Sequence, residues 1–530
     1  MKLDLAALPN DVVELKEIVT QLRRELNEER VQALKYFEEL QMLKRKLFLR
    51  SSEKLSEAEQ KQLRLFNEAE QLEEQPQPAA GEAEPVEIKA HQRVRPGRKQ
   101  LPADLPRVEV VHDIPESEKV CACGQPLVRI GEEISEKLDI IPAQVKVIRH
   151  VRPKYACKSC EGSSEEGSPA VKIAPAPAQL LPKSLATPGL LAWLITSKFC
   201  DALPYYRQET IFERLGIEIS RQDMANWTIR AARRLSPLLT LMRDEIRAGP
   251  MVNIDETTVQ VLDEPGRANT TKSYMWVFVG GAPGRRVIVY QYHPSRAGAV
   301  ARDFLNGYRG FIQTDGYEGY SSLGEREGIV HVGCWAHARR KFFEAKSISK
   351  KAGSAEEALS RIGSLYRVEK SLRSELKLGS EQFAAERRRQ ALPILDSFHG
   401  WLEERSVQVP PSTLLGKAIS YAIGEWPKLV RYLDSPELTP DNNVCENAIR
   451  PFVIGRKNWL FSGSPVGAYA SAALYSLIET AKANDIEPYL YLRHVFSNLP
   501  EGDDLESFRP FLPNSIKKED LLSFDRVRLV

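Results

Sequence analysis

No run in this 530-residue chain approaches the ~20 consecutive apolar residues that span a bilayer, so no membrane partner is expected. The opening residues, MKLDLAALPNDVVELKEIV, carry charges where a secretory leader needs an apolar core, which points to a cytoplasmic location. An excess of charge is also lacking: 74 Lys and Arg stand against 72 Asp and Glu, a net +2. That balance does not announce a nucleic-acid binder, and any such role rests on where the charges cluster. Cysteine is scarce and odd in number, seven in all, with four in two close pairs. Such usage speaks against a disulfide framework and for metal binding in a reducing compartment. What remains is ordinary for a soluble chain, 42% hydrophobic and 28% charged, with length for three or four folded units.

From Leu8, alternating steps of four and three residues reach Val12, Leu15, Val19, Leu22, Leu26, Glu29, Ala33, Tyr36, Leu40, Leu43 and Leu47. Only Glu29 breaks the seam. A narrow stripe between charged flanks buries itself against a partner helix, so residues 1–75 are expected to form a coiled coil that makes a homo-oligomer. Docking on the protein's own body is the alternative. Residues 66–88 hold seven glutamates, no Lys or Arg and three prolines, too little apolar content to fold. The linker of residues 76–110 then turns basic at Lys89, Arg93, Arg95, Arg98 and Lys99, either an arm that tracks phosphates or a solvated loop.

Residues 111–170 contain Cys121 and Cys123 and, after 33 intervening residues, Cys157 and Cys160. Two such pairs can bring four thiolates to one tetrahedral Zn2+, a requirement for folding and not for catalysis. The first pair is CxC where CxxC is usual, so Cys121 stands as a ligand or as a spectator. The stretch between the pairs alternates apolar and polar residues, as a strand would. Beyond a Pro and Ala linker, residues 180–247 read as helices. Gly216 stops one and Ser220 caps the next, with Arg221, Gln222 and Asn226 at its start, the arrangement of a helix-turn-helix DNA reader and also of plain bundles.

From residue 251, MVNIDETTVQVL, KSYMWVFVGG and RRVIVYQYH read as three strands, RAGAVARDFLNGY as a helix and GFIQTDGY as a fourth strand, the opening order of the ribonuclease H fold. Period-two alternation puts Asn253 and Asp255 on one face. Asp315 ends the fourth strand, where Gly316 would let a ligand approach the backbone. Asn443 and Glu446 have the spacing of a helix capping box, while Arg450 lies four residues on along Glu446's face, and Arg456 and Lys457 follow near a phosphate path. Pro451 is expected to shorten or kink that helix. Cys334 and His337 are half of a metal-ligand spacing. Two further readings of His337 stand: a phosphate contact with Arg339 and Arg340, or a satisfied core histidine. Trp459 reads as a core residue or a stacking platform for an unpaired base.

In motif order the chain resembles transposases of the insertion sequence 66 family along nearly its whole length. The matching pieces are LFLRSSEKL, RPKYACKSC, LPYYRQETIFERLGIEIS, NIDET, TDGYEGY, CWAHARRKF and NNVCENAIRPFVIGRKNWLFSGS. Val120 departs from the pattern where the family's first cysteine usually falls, and Leu49 where a glycine is common. The resemblance implies a DDE-type enzyme of multidomain α+β build. Its ribonuclease H-like catalytic domain (residues 248–345 and 435–500) would be interrupted by a helical insertion (346–434) and followed by a tail (501–530). It implies a triad of Asp255, Asp315 and Glu446 holding Mg2+ or Mn2+, which would cleave element ends and transfer the 3′ hydroxyl to target DNA by two-metal-ion chemistry. Partners would be DNA, reached through Arg98, Lys99, Arg221, His337, Arg340, Arg450, Arg456 and Lys457, and accessory proteins of the same element. A stand-alone nuclease and a catalytically silent, dimeric DNA-binding regulator are the alternative functions.

Overall fold

The computed structural model describes residues 11–48, 145–156, 171–175, 179–347, 353–376, 379–500, 502 and 504–521. The chain divides into two units, Pro76–Pro177 and Met1–Gln75 with Ala178–Val530. The acidic linker, the basic arm and the four paired cysteines lie outside the described residues. In the larger unit, α1 (Val12–Phe48) is one helix of 37 residues without Gly or Pro. Seam residues Val12, Leu26 and Leu43 face solvent in the single chain. A contact to the body is made at Glu38, whose carboxylate accepts the Leu414 N–H at 3.1 Å. In the smaller unit, β1 (Lys154–Ala156) pairs antiparallel with β2 (Val171–Ile173). Of the alternating run that reads as a strand, Lys154–Ala156 pair in this way among the described residues.

Four helices lead into the sheet. Thr187 caps α2 (Pro188–Phe199), accepting the Leu190 N–H at 3.2 Å, with Pro188 in the first turn where no N–H is needed. After α3 (Tyr205–Arg214) the chain turns at Gly216 with φ +74°, and Ser220 Oγ accepts the Asp223 N–H at 3.1 Å to start α4 (Arg221–Arg234). Met224, Trp227, Thr228 and Ala231 face the core from α4, while Arg221, Gln222 and Asn226 are exposed. Helix α5 (Ser236–Ala248) completes this group and packs on the sheet.

The sheet contains β3 (Met251–Gln260), β4 (Lys272–Ala282), β5 (Arg285–His293), then, after the short helix α6 (Ala299–Phe304), β6 (Gly310–Gln313) and β7 (Ile329–Val332), in the order β5-β4-β3-β6-β7. The first three strands form an antiparallel meander, and β6 and β7 run parallel to β3. Met275 to Phe278 are all fully buried, so both faces of β4 are covered, at roughly 1.5–3 kcal/mol for each large apolar side chain removed from water.

Helix α7 (Trp335–Lys346) leaves the sheet, and α8 (Ser354–Glu375), α9 (Glu381–Gln408) and α10 (Leu414–Leu429) build a second core with it around Trp335, Phe342, Leu365 and Phe398. Inside that core Arg387 Nε lies 2.7 Å from Glu369 Oε1, and Arg387 also donates to the Tyr432 and Leu438 carbonyls. Where this helical excursion begins and ends, the chain is clamped: the Gly333 N–H donates to Lys428 O and the Trp335 N–H to Pro440 O. Helix α11 (Asn443–Trp459) then continues past Pro451 for 17 residues in all. The proline therefore does not shorten the helix, and the carbonyl it leaves without a donor belongs to Asn447, an exposed position open to solvent. Helices α12 (Pro465–Ala483) and α13 (Pro488–Asn498) follow. On the edge strand β5, the Ile288 and Tyr290 N–H groups donate to Thr480 Oγ1 and Ser476 Oγ of α12. No helix among the described residues is long and apolar enough to cross a membrane.

Candidate active site

Strand register brings the two aspartates together. Asn253 of β3 is the partner of Gln313 of the parallel strand β6, and two residues further on in each chain stand Asp255 and Asp315. Asp255 lies on β3 itself and Asp315 just past the end of β6, close enough that the two carboxylates repel one another. Glu446 arrives from the first turn of α11, which packs across β3 and β4. Three buried amides tie these segments to one another. Asn253 Nδ2 donates to Gln313 Oε1 at 3.0 Å and to Asn442 Oδ1 at 2.8 Å, and Asn442 Nδ2 donates to the Ile254 carbonyl at 3.0 Å. Gln313 Nε2 in turn donates to Gly333 O and Thr439 O. Each carboxylate therefore has a hydrogen-bonded amide two or four residues before it in the chain.

The cluster is electrostatically tense. Burial holds the Asp255 carboxyl well above the usual carboxylate range, and Glu256, Asp315 and Glu446 add repulsion. Asp315 is raised as well, chiefly by burial, although it accepts the Tyr317 N–H at 3.0 Å and faces Arg296, Arg340 and Lys341. Glu446, 4% exposed, is pushed up to about 7 by burial, with Arg340 opposing and Asp441 and Asp315 reinforcing. The capping-box reading of Glu446 does not hold. Asp441 Oδ1 takes the Asn443 N–H at 3.1 Å, and Glu446 Oε1 is buried without a hydrogen-bond partner.

Around the carboxylates lie residues that the sequence did not single out. Glu256 is neutralised by Arg296, whose Nε donates to it at 2.6 Å, and it accepts the Tyr320 hydroxyl. Arg296 also stacks over the Tyr317 ring at 3.8 Å. A Cβ on Gly298 would lie 1.9 Å from the Gly319 carbonyl, so backbone packs directly on backbone beneath the Asp315 loop. Gly316, expected to admit a ligand, instead makes room for Tyr421 of α10, whose hydroxyl would sit 2.5 Å from any Cβ there. The repeated Gly-Tyr pairs of TDGYEGY were the signal for this packing.

The remaining residues read as DNA contacts fall into three groups. Arg98 and Lys99, like Cys121, Cys123, Cys157 and Cys160, lie outside the described residues. Arg221 and Lys457 are exposed, and Arg340 and Arg450 are half-buried. Arg456 is turned away from a phosphate path: it is 6% exposed and donates to the Thr257 and Thr258 hydroxyls of β3, anchoring α11 to the sheet. His337 is half-buried and is not a satisfied core histidine. Its Nδ1 is shut off from solvent, has no hydrogen-bond partner and lies 3.7 Å from Glu446 Oε1. Trp459 packs edge-on against Phe452, with ring centroids 5.4 Å apart, as a core residue does.

Comparison with known proteins matches the chain to the family described as "Transposase IS66 family" over residues 183–470. Shorter matches are to the zinc-finger binding domain of transposase IS66 (118–161), the transposase C of IS166 homeodomain (35–110) and the IS66 C-terminal element (476–513). The chain is 34% identical to the uncharacterized protein y4jD of Sinorhizobium fredii (strain NBRC 101917 / NGR234), over 78% of this chain and 81% of that one. The uncharacterized protein y4qI of the same strain is 33% identical, over 79% and 78%.

Proposed function

Because the chain belongs to the transposase IS66 family, we propose that it cuts DNA at the ends of its element and joins the freed 3′ hydroxyl to target DNA, with Asp255, Asp315 and Glu446 as ligands of magnesium or manganese. The observation that carries the proposal is the gathering of three carboxylates from distant parts of the chain into mutual repulsion, one of them with a buried oxygen that nothing satisfies. A protein keeps such a cluster at a cost in stability, and divalent cations relieve it. The donor type fits, since magnesium and manganese take carboxylate oxygens, and Glu256, already neutralised by Arg296, is left outside the set. The sheet order, with a three-strand meander followed by two parallel strands on its inner side, supports a ribonuclease H-like assignment of this domain.

Ions held by these ligands would supply Lewis-acid stabilisation of the attacking and leaving oxygens of an in-line phosphoryl displacement. Asp255 presents its oxygens from β3, Asp315 from the loop that follows β6, and Glu446 closes the site from α11. Arg340 and Lys341, which face Asp315, offer positive charge to the scissile phosphate. The exposed start of α4 with Arg221, the exposed Lys457, the half-buried Arg450 and the basic arm with Arg98 and Lys99 extend the contact to flanking DNA. Within the matched zinc-finger segment, Cys121, Cys123, Cys157 and Cys160 are the thiolate donors for one zinc ion. The solvent-facing seam of α1 supplies a self-association surface, and accessory proteins of the same element complete the reading.

The test incubates the purified protein and magnesium or manganese with labelled duplexes from the DNA flanking its gene, beside an Asp315→Asn control. Strand joining that the substitution abolishes, with end binding retained, is the expected result. Nicking without joining would replace the transposase with a nuclease. Cleavage that persists in the variant would remove the triad.

A further inference from the structure

We propose that His337 is a nitrogen ligand of the metal ion held by Glu446, so that this ion has a mixed oxygen and nitrogen shell; the inference rests on the carboxylate-metal reading above. His337 occupies the first turn of α7, a helix that leaves the sheet directly after β7, and Glu446 the first turn of α11. The two helices start side by side because the Asn442 N–H donates to Cys334 Sγ at 3.2 Å and the Trp335 N–H to Pro440 O at 2.9 Å. Nδ1 of the one and Oε1 of the other are both buried, both without a hydrogen-bond partner, and 3.7 Å apart. That separation is too long for a hydrogen bond. Two donors each about 2.1 Å from one ion lie roughly 3.0 Å apart at a right angle and 4.2 Å apart when opposed, and the observed spacing falls between these limits.

The chemistry of the pair agrees. An imidazole nitrogen has one lone pair to give an ion, and Nδ1 of His337 is directed at the Glu446 carboxylate with no hydrogen bond to compete for it. Cys334 belongs to the same cluster, its Sγ and the His337 and Glu446 donors all lying within 4.8 Å of one another. It is not part of the proposed shell: its sulfur accepts the Asn442 N–H, and magnesium or manganese favours harder donors over sulfur. A nitrogen donor shifts preference from magnesium toward manganese, since imidazole suits transition metals.

Manganese is its own probe. The full-length protein is loaded with Mn2+ and its electron spin echo envelope is recorded for nitrogen modulation, in natural-abundance protein and in protein made with nitrogen-15 histidine. Expected is a directly coordinated nitrogen whose pattern changes with the labelled histidine, lost in His337→Gln together with at least roughly a tenfold weakening of Mn2+ binding. Bound manganese without histidine coupling in the wild-type protein, a measurement that needs no variant to fold, overturns the proposal and leaves the carboxylate ligands standing. Coupling that survives in His337→Gln overturns it equally. Manganese that fails to bind, or binds undiminished in Asp255→Asn, removes the carboxylate reading and this inference with it.

Discussion

Replacing Glu446 by Gln should make the metal-free protein more stable while destroying its activity. In the folded chain burial lifts this carboxyl from 4.5 to about 7. At about 1.4 kcal/mol for each tenfold change, keeping Glu446 ionised above that range costs on the order of 3 kcal/mol. The amide keeps the shape and removes the charge, but brings a buried polar group of its own at about 1 kcal/mol, leaving a net gain of roughly 2 kcal/mol. With an unfolding entropy of about 2.1 cal/mol/K per residue and some 300 residues melting together, Tm should rise by about 3 °C. The sign of the pH dependence follows from the direction of the shift. Because the folded-state value is raised, the cost is full above about 7, declines as pH falls and is gone below about 4.5, so near pH 4.5 the variant should have lost its advantage and melt slightly below wild type. Saturating magnesium should reverse the order, since binding stabilises the native state of the wild-type protein and much less that of the variant. The assay is thermal melting of both proteins near pH 8 and near pH 4.5, with and without magnesium. A variant that melts no higher than wild type in magnesium-free buffer at the higher pH, or whose gain is the same at both, would refute the reasoning.

Asn253→Ala should cost about 1–3 kcal/mol, because it leaves Asn442 Oδ1 buried without its Asn253 donor and Gln313 Oε1 with only the longer bond from the Thr439 hydroxyl. It should also raise the magnesium concentration needed for half-maximal stabilisation, both read from melting curves across a metal titration. Arg387→Met takes from Glu369 its buried partner and leaves it only the more exposed Arg373 at 3.6 Å, a loss of about 3 kcal/mol, and the double substitution with Glu369→Leu should recover most of it. Hydrogen exchange should place the loss in α8 and α9 and leave the sheet protected. Cys157→Ser should lower bound zinc from about one ion per chain to none by elemental analysis, without changing magnesium binding to the other unit.

The strands were legible from periodicity alone, since MVNIDETTVQ, KSYMWVFVGG and RRVIVYQYH alternate or run apolar in the lengths that form β3, β4 and β5. The shared face of Asn253 and Asp255 was legible for the same reason. What period two cannot say is which strand lies alongside. The pairing of Asn253 with Gln313, and the amide network built on it, appears only once β6 is known to run parallel to β3. Local patterns also competed with tertiary ones. Asn443 and Glu446 carry capping-box spacing, yet the α11 start is satisfied by Asp441, which frees Glu446 to face His337. Arg456 looked like a phosphate contact because basic residues flank it, and burial against Thr257 and Thr258 depends on neighbours some two hundred residues away. The four paired cysteines and the basic arm fall outside the described residues, and their roles stand as proposals.

The contact between α12 and the edge strand has a mechanical meaning. Residues four apart on a helix advance about 6.0 Å and residues two apart on a strand about 6.8 Å, so Ser476 and Thr480 match Tyr290 and Ile288 like two rulers of nearly equal pitch. Sliding the helix by one residue would lose both matches at once, and no incoming strand can add to this edge while the hydroxyls occupy it. The segment before α12 is fastened too, with Leu262 and Ser462 pairing at the far end of β3. Helix α11 is thus moored to the sheet at its start by amides and at its end by this pairing. The helical excursion between β7 and α11 can then flex or change in length among relatives while Glu446 stays where the strands put it.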